Sequence, residues 1–143
     1  MSNKTPVILV DVDGTIALRG DRDPYDHSVA MEDAVNWPVV WTVEALAKQK
    51  QWRIIIVSAR DEEFREITEY WMFRHGIMED RLALLMRPHR DPRADAQVKY
   101  SLYNEHIAPQ YDVQVVFDDR DKVVHMWRFH LNLPCFQVAP GDY

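Results

Sequence analysis

Cysteine is nearly missing. Cys135 stands alone among 143 residues, which excludes an internal disulfide and a cysteine-built zinc site. Glycine is scarce too, four residues against eight prolines, so the chain is not a low-complexity one. No apolar run approaches the roughly 18 residues of a membrane span. Residues Met1 to Pro6 contain no apolar stretch of the kind that marks a secretory signal, so a cytoplasmic protein without membrane contact is expected. A GxxxxGK loop is absent, which leaves the nucleoside-triphosphate branch of phosphate chemistry unsupported. Positive charge is in deficit: 17 Lys+Arg against 23 Asp+Glu give a net −6. A general nucleic-acid coat protein is usually basic. A phosphate-handling enzyme need not be, because its cations can be local.

What is present is 47% apolar and 28% charged, the balance of a soluble globular protein. The length suits one domain over residues 1–143. Five short, mostly β-branched apolar runs stand out: Pro6–Val10, Trp52–Val57, Leu82–Met86, Val113–Phe117 and Pro134–Val138. They do not alternate clearly, as expected of strands buried on both faces. Between them lie stretches with helical spacing: 39–50, 62–75 with Gly76 as a natural stop, 95–107 and 122–131. The alternation predicts an α/β fold with a parallel sheet, right-handed crossovers and helices on both faces.

Ligands in such sheets sit at the carboxyl ends of the strands. Those ends read Asp11-Val-Asp-Gly-Thr15, Ser58-Ala-Arg60 and Asp118-Asp-Arg-Asp121, with Lys99 in the segment after Arg87-Pro-His-Arg90. Four carboxylates at one edge repel. A like-charged pair about 4 Å apart costs about 1 kcal/mol in water and about 4 kcal/mol at an effective dielectric near 20. An all-oxygen cluster without His or Cys suits a hard cation, with Mg²⁺ the first candidate. A hydroxyl, a lysine and arginines beside such an ion make a phosphate cradle, and a carboxylate can itself be the nucleophile.

Each residue also has a plainer reading. Asp13-Gly14 is a turn signal. Ser58 and Asp95 read as helix caps, Asp118-Asp119 as helix N-terminal charge, and Lys99 as a solvated helix lysine. Arg87, His89, Arg90 and Arg93 read equally as a solvated loop or as contacts to polynucleotide phosphates, and Arg19 and Arg22 pose the same choice. Tyr25 reads as packing or as a base-stacking ring. The six histidines show no metal-ligand pairing, and His106 and His125 read as structural or surface residues. Cys135 reads as an inert core thiol. The five tryptophans suit the core or a homo-oligomer contact.

Asp11-Val-Asp-Gly-Thr15 matches the DxDGT signature, and in this the chain resembles the haloacid-dehalogenase-like phosphatases. Ser58, Lys99 and Asp118-Asp119 fall where the later motifs of that superfamily fall. A closer resemblance is to the 3′-phosphatase domain of bacteriophage polynucleotide kinase. It is carried by residues 11–18, Arg22–Asp26, Ile56–Arg60, Val98-Lys99, His106–Pro109, Asp118–Arg120, Val123–Trp127 and Gln137–Tyr143. These segments span nearly the whole chain.

The resemblance implies a Rossmann-like three-layer sandwich with a five-stranded parallel sheet and little or no cap domain. It implies that Asp11 is the nucleophile and Asp13 the general acid, then base. Asp11, the Asp13 carbonyl and Asp118 would hold Mg²⁺, with Asp119 close by. Thr15, Ser58, Ala59 and Lys99 would form the phosphate-binding set, with Thr15 also capping the turn or orienting the nucleophile. Arg22, Arg60 and Asp95 would support the site.

The activity so implied is a Mg²⁺-dependent polynucleotide 3′-phosphatase for nucleic-acid repair. It would act on DNA or RNA 3′ ends through an aspartyl-phosphate, with 2′,3′-cyclic phosphate ends as a further substrate, in a phage or bacterial setting. The kinase half of that family is absent, so a kinase or ligase partner would be a separate chain. The segment Asp61–Phe64 is shorter than the family's and the loop from Pro88 to Pro92 differs, which leaves substrate preference open. Two alternatives remain: a small-molecule phosphomonoesterase such as a nucleotidase, and a catalytically silent nucleic-acid-binding protein.

Overall fold

The computed structural model describes residues 3–143. Chain order runs β1 (Thr5–Val10), a short hairpin of β2 (Ala17–Leu18) and β3 (Ala34–Val35), α1 (Trp37–Lys50), β4 (Arg53–Asp61), α2 (Arg65–His75), β5 (Ala83–Arg87), α3 (Asp95–Leu102), β6 (Tyr111–Asp118), α4 (Asp121–His125) and β7 (Cys135–Gln137). Five strands form one sheet in the order β5-β4-β1-β6-β7, every neighbouring pair parallel. This is the α/β architecture expected from the alternation of apolar runs and helical stretches.

Strand β1 lies at the centre, and Val7, Ile8, Leu9 and Val10 are fully buried. Successive side chains of a strand point to opposite faces. Ile8 and Val10 therefore meet Val40 and Val43 of α1 and Trp71 and Met72 of α2. Val7 and Leu9 meet Val98 and Leu102 of α3 and Val123 and Val124 of α4. Each buried branched aliphatic contributes about 1.5–3 kcal/mol relative to exposure. A strand with helices on both sides thus has no place for polar residues until it leaves the sheet, and it leaves at Asp11.

Several boundaries differ from the sequence expectation, each for a local reason. Helix α1 begins at Trp37 rather than Val39, with Pro38 in its first turn, where a missing N–H costs nothing. Helix α2 begins at Arg65 rather than Glu62, after a 3₁₀ turn over Glu62–Phe64, and stops at Gly76 as expected, where φ is 64°. The stretches 95–107 and 122–131 each begin as α-helix and finish in a wider π-type turn, Tyr103–Ile107 and Met126–His130.

The consequential difference is β4, which runs on to Asp61 instead of ending at Val57. Ser58 is therefore a strand residue and not a helix cap. The capping carboxylate is Asp61, which accepts from the Glu63 amide at 2.8 Å. Between β1 and α1 the chain makes only the β2–β3 hairpin and a short 3₁₀ turn, His27–Glu32, so this stretch holds no cap domain. Cys135 is buried, and burial, with the Asp118 charge, pushes its thiol up to about 12, which keeps it unreactive at neutral pH. Among the described residues, no helix is long and apolar enough to cross a membrane.

Candidate active site

Parallel strands send their carboxyl ends to one edge, and the chain changes direction between β1 and β6, where ligand clefts form in open α/β sheets. Asp11 leaves β1 at that point, its amide donating to the Phe117 carbonyl of β6 at 3.0 Å. Asp118 is the last residue of β6. Lys99 arrives from α3 and is buried. A cleft opens over these residues, with Asp11, Asp13, Lys99, Asp118 and Asp119 in its lining.

The Asp11 carboxylate is fixed at both oxygens. Lys99 Nζ donates to Oδ1 at 2.8 Å and the Thr15 hydroxyl donates to Oδ2 at 2.9 Å. Thr15 is thus bonded directly to the Asp11 carboxylate. Burial, reinforced by Asp118, holds the Asp11 carboxyl well above its ordinary range, against the pull of Lys99. Burial by itself would lower the Lys99 ammonium, but Asp11 and Asp118 override it and hold it raised. The lysine is therefore a fixed cation.

Gly14 has a twofold reason. Its φ is 81°, and a Cβ there would sit 2.0 Å from Asp119 Oδ2. The turn Asp11–Thr15 can close over Asp119 only without that carbon.

Asp13 is held differently. Arg60 forks onto it, Nε to Oδ2 at 2.9 Å and Nη2 to Oδ1 at 2.7 Å, and Arg22 Nη2 adds a third donor at 3.1 Å. Burial favours the neutral acid, but Arg60, His27 and Arg22 outweigh it and hold Asp13 below the usual carboxylate range. Both arginines are anchored from behind by buried Asp33, which accepts from Arg22 at 2.8 Å twice and from Arg60 at 3.3 Å. Asp33 is itself tied down by Trp71 Nε1 on its carbonyl at 2.9 Å. Sequence reasoning missed Asp33 and also His27, which lines the cleft with Nδ1 3.9 Å from Asp13. Nothing in the sequence marks Asp33, an isolated aspartate in an irregular stretch. His27 offers no stronger signal than its closeness to motif one.

The two neighbouring aspartates differ sharply. Asp118 has four donors: Lys99 Nζ at 2.9 Å and Trp127 Nε1 at 3.1 Å on Oδ2, and the amides of Asp119 at 2.8 Å and Arg120 at 3.4 Å on Oδ1. Asp119 accepts the Tyr143 hydroxyl on Oδ2 at 2.6 Å. Its Oδ1 is buried without a hydrogen-bond partner among the described residues. Carboxylate oxygens of Asp11, Asp118 and Asp119 lie within 4.8 Å of one another.

The remaining expected residues sort by position. Ser58 is fully buried and accepts the Arg60 amide at 3.1 Å, and Ala59 lines the cleft. Asp95 opens α3 but does not act as its cap; its carboxylate receives both Arg87 and Arg120. Arg87 and Arg93 line the cleft, Arg93 also pairing with Asp91 at 2.7 Å. Arg90 and Arg19 are not among the lining residues. The Arg90 amide binds Asp61 at 2.7 Å, and the Arg19 guanidinium lies 5.7 Å from the Tyr143 ring centroid.

Residues 5–143 match the family model described as the polynucleotide kinase PNKP phosphatase domain. A protein of Autographa californica nuclear polyhedrosis virus, assigned as a bifunctional polynucleotide kinase/RNA ligase, is 35% identical over 138 residues, 95% of this chain and 20% of its own length. Two solved chains from Pnkp1/Rnl/Hen1 structures, one described as an RNA repair complex, superpose with a TM-score of 0.93 over 100% of this chain. They are 40% and 39% identical, and the match covers 49% and 45% of their lengths. The chain therefore spans about half of those solved chains and a fifth of the viral relative.

Proposed function

The chain belongs to the polynucleotide kinase phosphatase domain family of haloacid-dehalogenase-like phosphatases, and from that premise we propose that it removes the 3′-phosphate from DNA or RNA ends, leaving a 3′-hydroxyl. The observation that carries this reading is Asp11, held at both oxygens by Lys99 and Thr15 in the lining of a cleft. Asp13 stands beside it on a fixed arginine mount.

Asp11, Asp118 and Asp119 fit a divalent cation. Three carboxylates face one buried ammonium, an excess of two negative charges. Asp119 Oδ1, buried and without a hydrogen-bond partner among the described residues, fits the part of a ligand atom. Hard oxygen donors favour Mg²⁺. Asp11 and Asp119 are its side-chain ligands on this reading. Asp118, with four donors already, orients Lys99 and the cluster. The ion would neutralise charge on the transferring phosphoryl group.

In the first step an Asp11 oxygen bonds to phosphorus as the bond to the substrate 3′-oxygen breaks. Asp13 gives that oxygen its proton. The incoming phosphate dianion lies close to Asp13 and raises its affinity for the proton it must carry. Water then attacks phosphorus, Asp13 takes its proton, and phosphate departs with Asp11 regenerated. Lys99 holds the phosphoryl charge throughout. Arg22, Arg60 and Asp33 do not touch phosphate in this scheme; they aim Asp13.

An open cleft suits the end of a polymer. At one corner of it Arg93, Arg87 and Arg120 lie against two carboxylates, Asp91 on Arg93 and Asp95 shared by Arg87 and Arg120, so this corner carries a small cationic excess within an acidic protein. A kinase and a ligase are the partners proposed for it, acting on the same broken strand.

With Mg²⁺ present, kcat/KM for a 3′-phosphorylated oligonucleotide is expected to exceed that for the matching 3′-mononucleotide at least about tenfold, a difference of 1.4 kcal/mol. Arg93→Ala should narrow the gap by weakening the oligonucleotide alone. Equal or reversed preference would make the protein a nucleotidase built on the same site.

A further inference from the structure

The segment Gln137–Tyr143 is bound along the very residues that carry the acidic cluster. Val138 donates its amide to the Asp118 carbonyl at 3.0 Å, and the Gln137 side chain donates to the Asp119 carbonyl at 3.0 Å. The Asp121 amide returns a bond to the Gly141 carbonyl at 2.7 Å. Gly141 approaches so closely that a Cβ on it would meet the Asp119 carbonyl oxygen at 2.0 Å and Arg120 Cα at 2.6 Å. This contact delivers Tyr143 to the cleft. Its ring centroid lies 5.1 Å from the Arg120 guanidinium and 5.7 Å from that of Arg19. Arg120 Nε also donates to the Tyr143 main-chain oxygen at 2.6 Å. So seated, the phenol has its hydroxyl on Asp119 Oδ2 at 2.6 Å, leaving Oδ1 buried and without a hydrogen-bond partner among the described residues.

We propose that Tyr143 is a positioning residue for metal binding: its hydroxyl fixes one oxygen of Asp119 so that the other is presented to a divalent cation held with Asp11. This rests on the divalent-ion reading of the cluster given above. A carboxylate on a short side chain has two oxygens free to exchange places. One strong donor on Oδ2, with Gly14 packed against the same oxygen, selects a single orientation. Groups that orient a metal ligand in this way typically change metal affinity about 10–100-fold when removed. The ring and the hydroxyl have separable tasks. The ring is gripped by two guanidinium groups, whereas the hydroxyl alone reaches Asp119.

The test uses the full chain and Mn²⁺ as the probe, with free Mn²⁺ counted by electron paramagnetic resonance. Tyr143→Phe keeps the ring and removes the hydroxyl. Its Kd for Mn²⁺ should rise roughly 10-fold or more, with the metal-free protein still folded and its melting temperature lowered by only a few degrees, as the loss of one partly buried hydrogen bond requires. Gly141→Val, which pushes the segment off Asp119, should raise the Kd in the same direction. In turnover assays the Mg²⁺ concentration for half-maximal activity should rise with the Kd in Tyr143→Phe, while kcat at saturating Mg²⁺ stays within about twofold. Unchanged Mn²⁺ affinity in Tyr143→Phe overturns the proposal, whatever the activity does. Weakened Mn²⁺ binding in a protein that turns over no phosphate ester upholds it and removes the phosphatase reading instead.

Discussion

Asp11→Asn is expected to leave a folded protein whose turnover of a 3′-phosphorylated oligonucleotide is lower by about 10⁴-fold or more, the scale seen when a nucleophile is removed. The amide is nearly isosteric: its oxygen can still accept from Lys99 Nζ, and its NH₂ can donate to the Thr15 hydroxyl oxygen once that hydroxyl turns. It cannot form an acyl phosphate. Stability should move the other way. Burial and Asp118 hold the Asp11 carboxyl raised, so its ionised form at neutral pH is the costly one. The stability owed to the protonated carboxyl is complete below its unfolded-state value and is lost as pH rises through the higher folded-state value. A neutral side chain removes that penalty. The metal-free Asn variant should therefore melt no lower than the parent at pH 7, and the difference should shrink as the pH is lowered. Single-turnover rates and melting curves check the two halves. A variant that retains turnover would remove Asp11 from the chemistry.

Lys99→Met should be damaging in both respects. The ammonium is buried between Asp11 and Asp118. Removing one partner of a buried ionic group typically costs about 3–5 kcal/mol, because the remaining charges stay unpaired. In a chain of this size that is a fall in melting temperature of roughly 10 °C or more. Catalysis should be lost as well, since the phosphoryl charge would have no fixed cation from the protein. Mg²⁺ should raise the melting temperature of Lys99→Met more than that of the parent, because the ion then meets carboxylates with no ammonium among them. A melting temperature within a degree or two of the parent, with or without Mg²⁺, would contradict the electrostatic account of the cluster.

Much of this site is legible in the sequence because it follows from strand ends. A parallel sheet gathers its carboxyl ends, so Asp11 after Val7–Val10 and Asp118 after Val115–Phe117 were bound to meet. Lys99 joins them from a helix that the spacing of Val98 and Leu102 turns toward the sheet. The rest depends on reach across the fold. Asp33 anchors Arg22 and Arg60 from a loop with no periodicity. Tyr143 reaches Asp119 across 24 positions. The division of labour between Asp118 and Asp119, adjacent and identical in the sequence, is set by donors from α3, the π-type turn Met126–His130 and the Gln137–Tyr143 segment. The plainer reading of Ser58 as a helix cap fails because β4 continues past the end of its apolar run. The hairpin β2–β3 is too short to leave a pattern at all.

The most direct test of the central claim is to find where the phosphate goes. An oligonucleotide carrying a radiolabelled 3′-phosphate should be mixed with Mg²⁺ and the protein in excess, quenched in acid within one turnover, and the protein digested. The account predicts label on the peptide that contains Asp11 at early times, its loss into free phosphate later, and no label in Asp11→Asn. Release of labelled phosphate without protein ever carrying it would contradict the account.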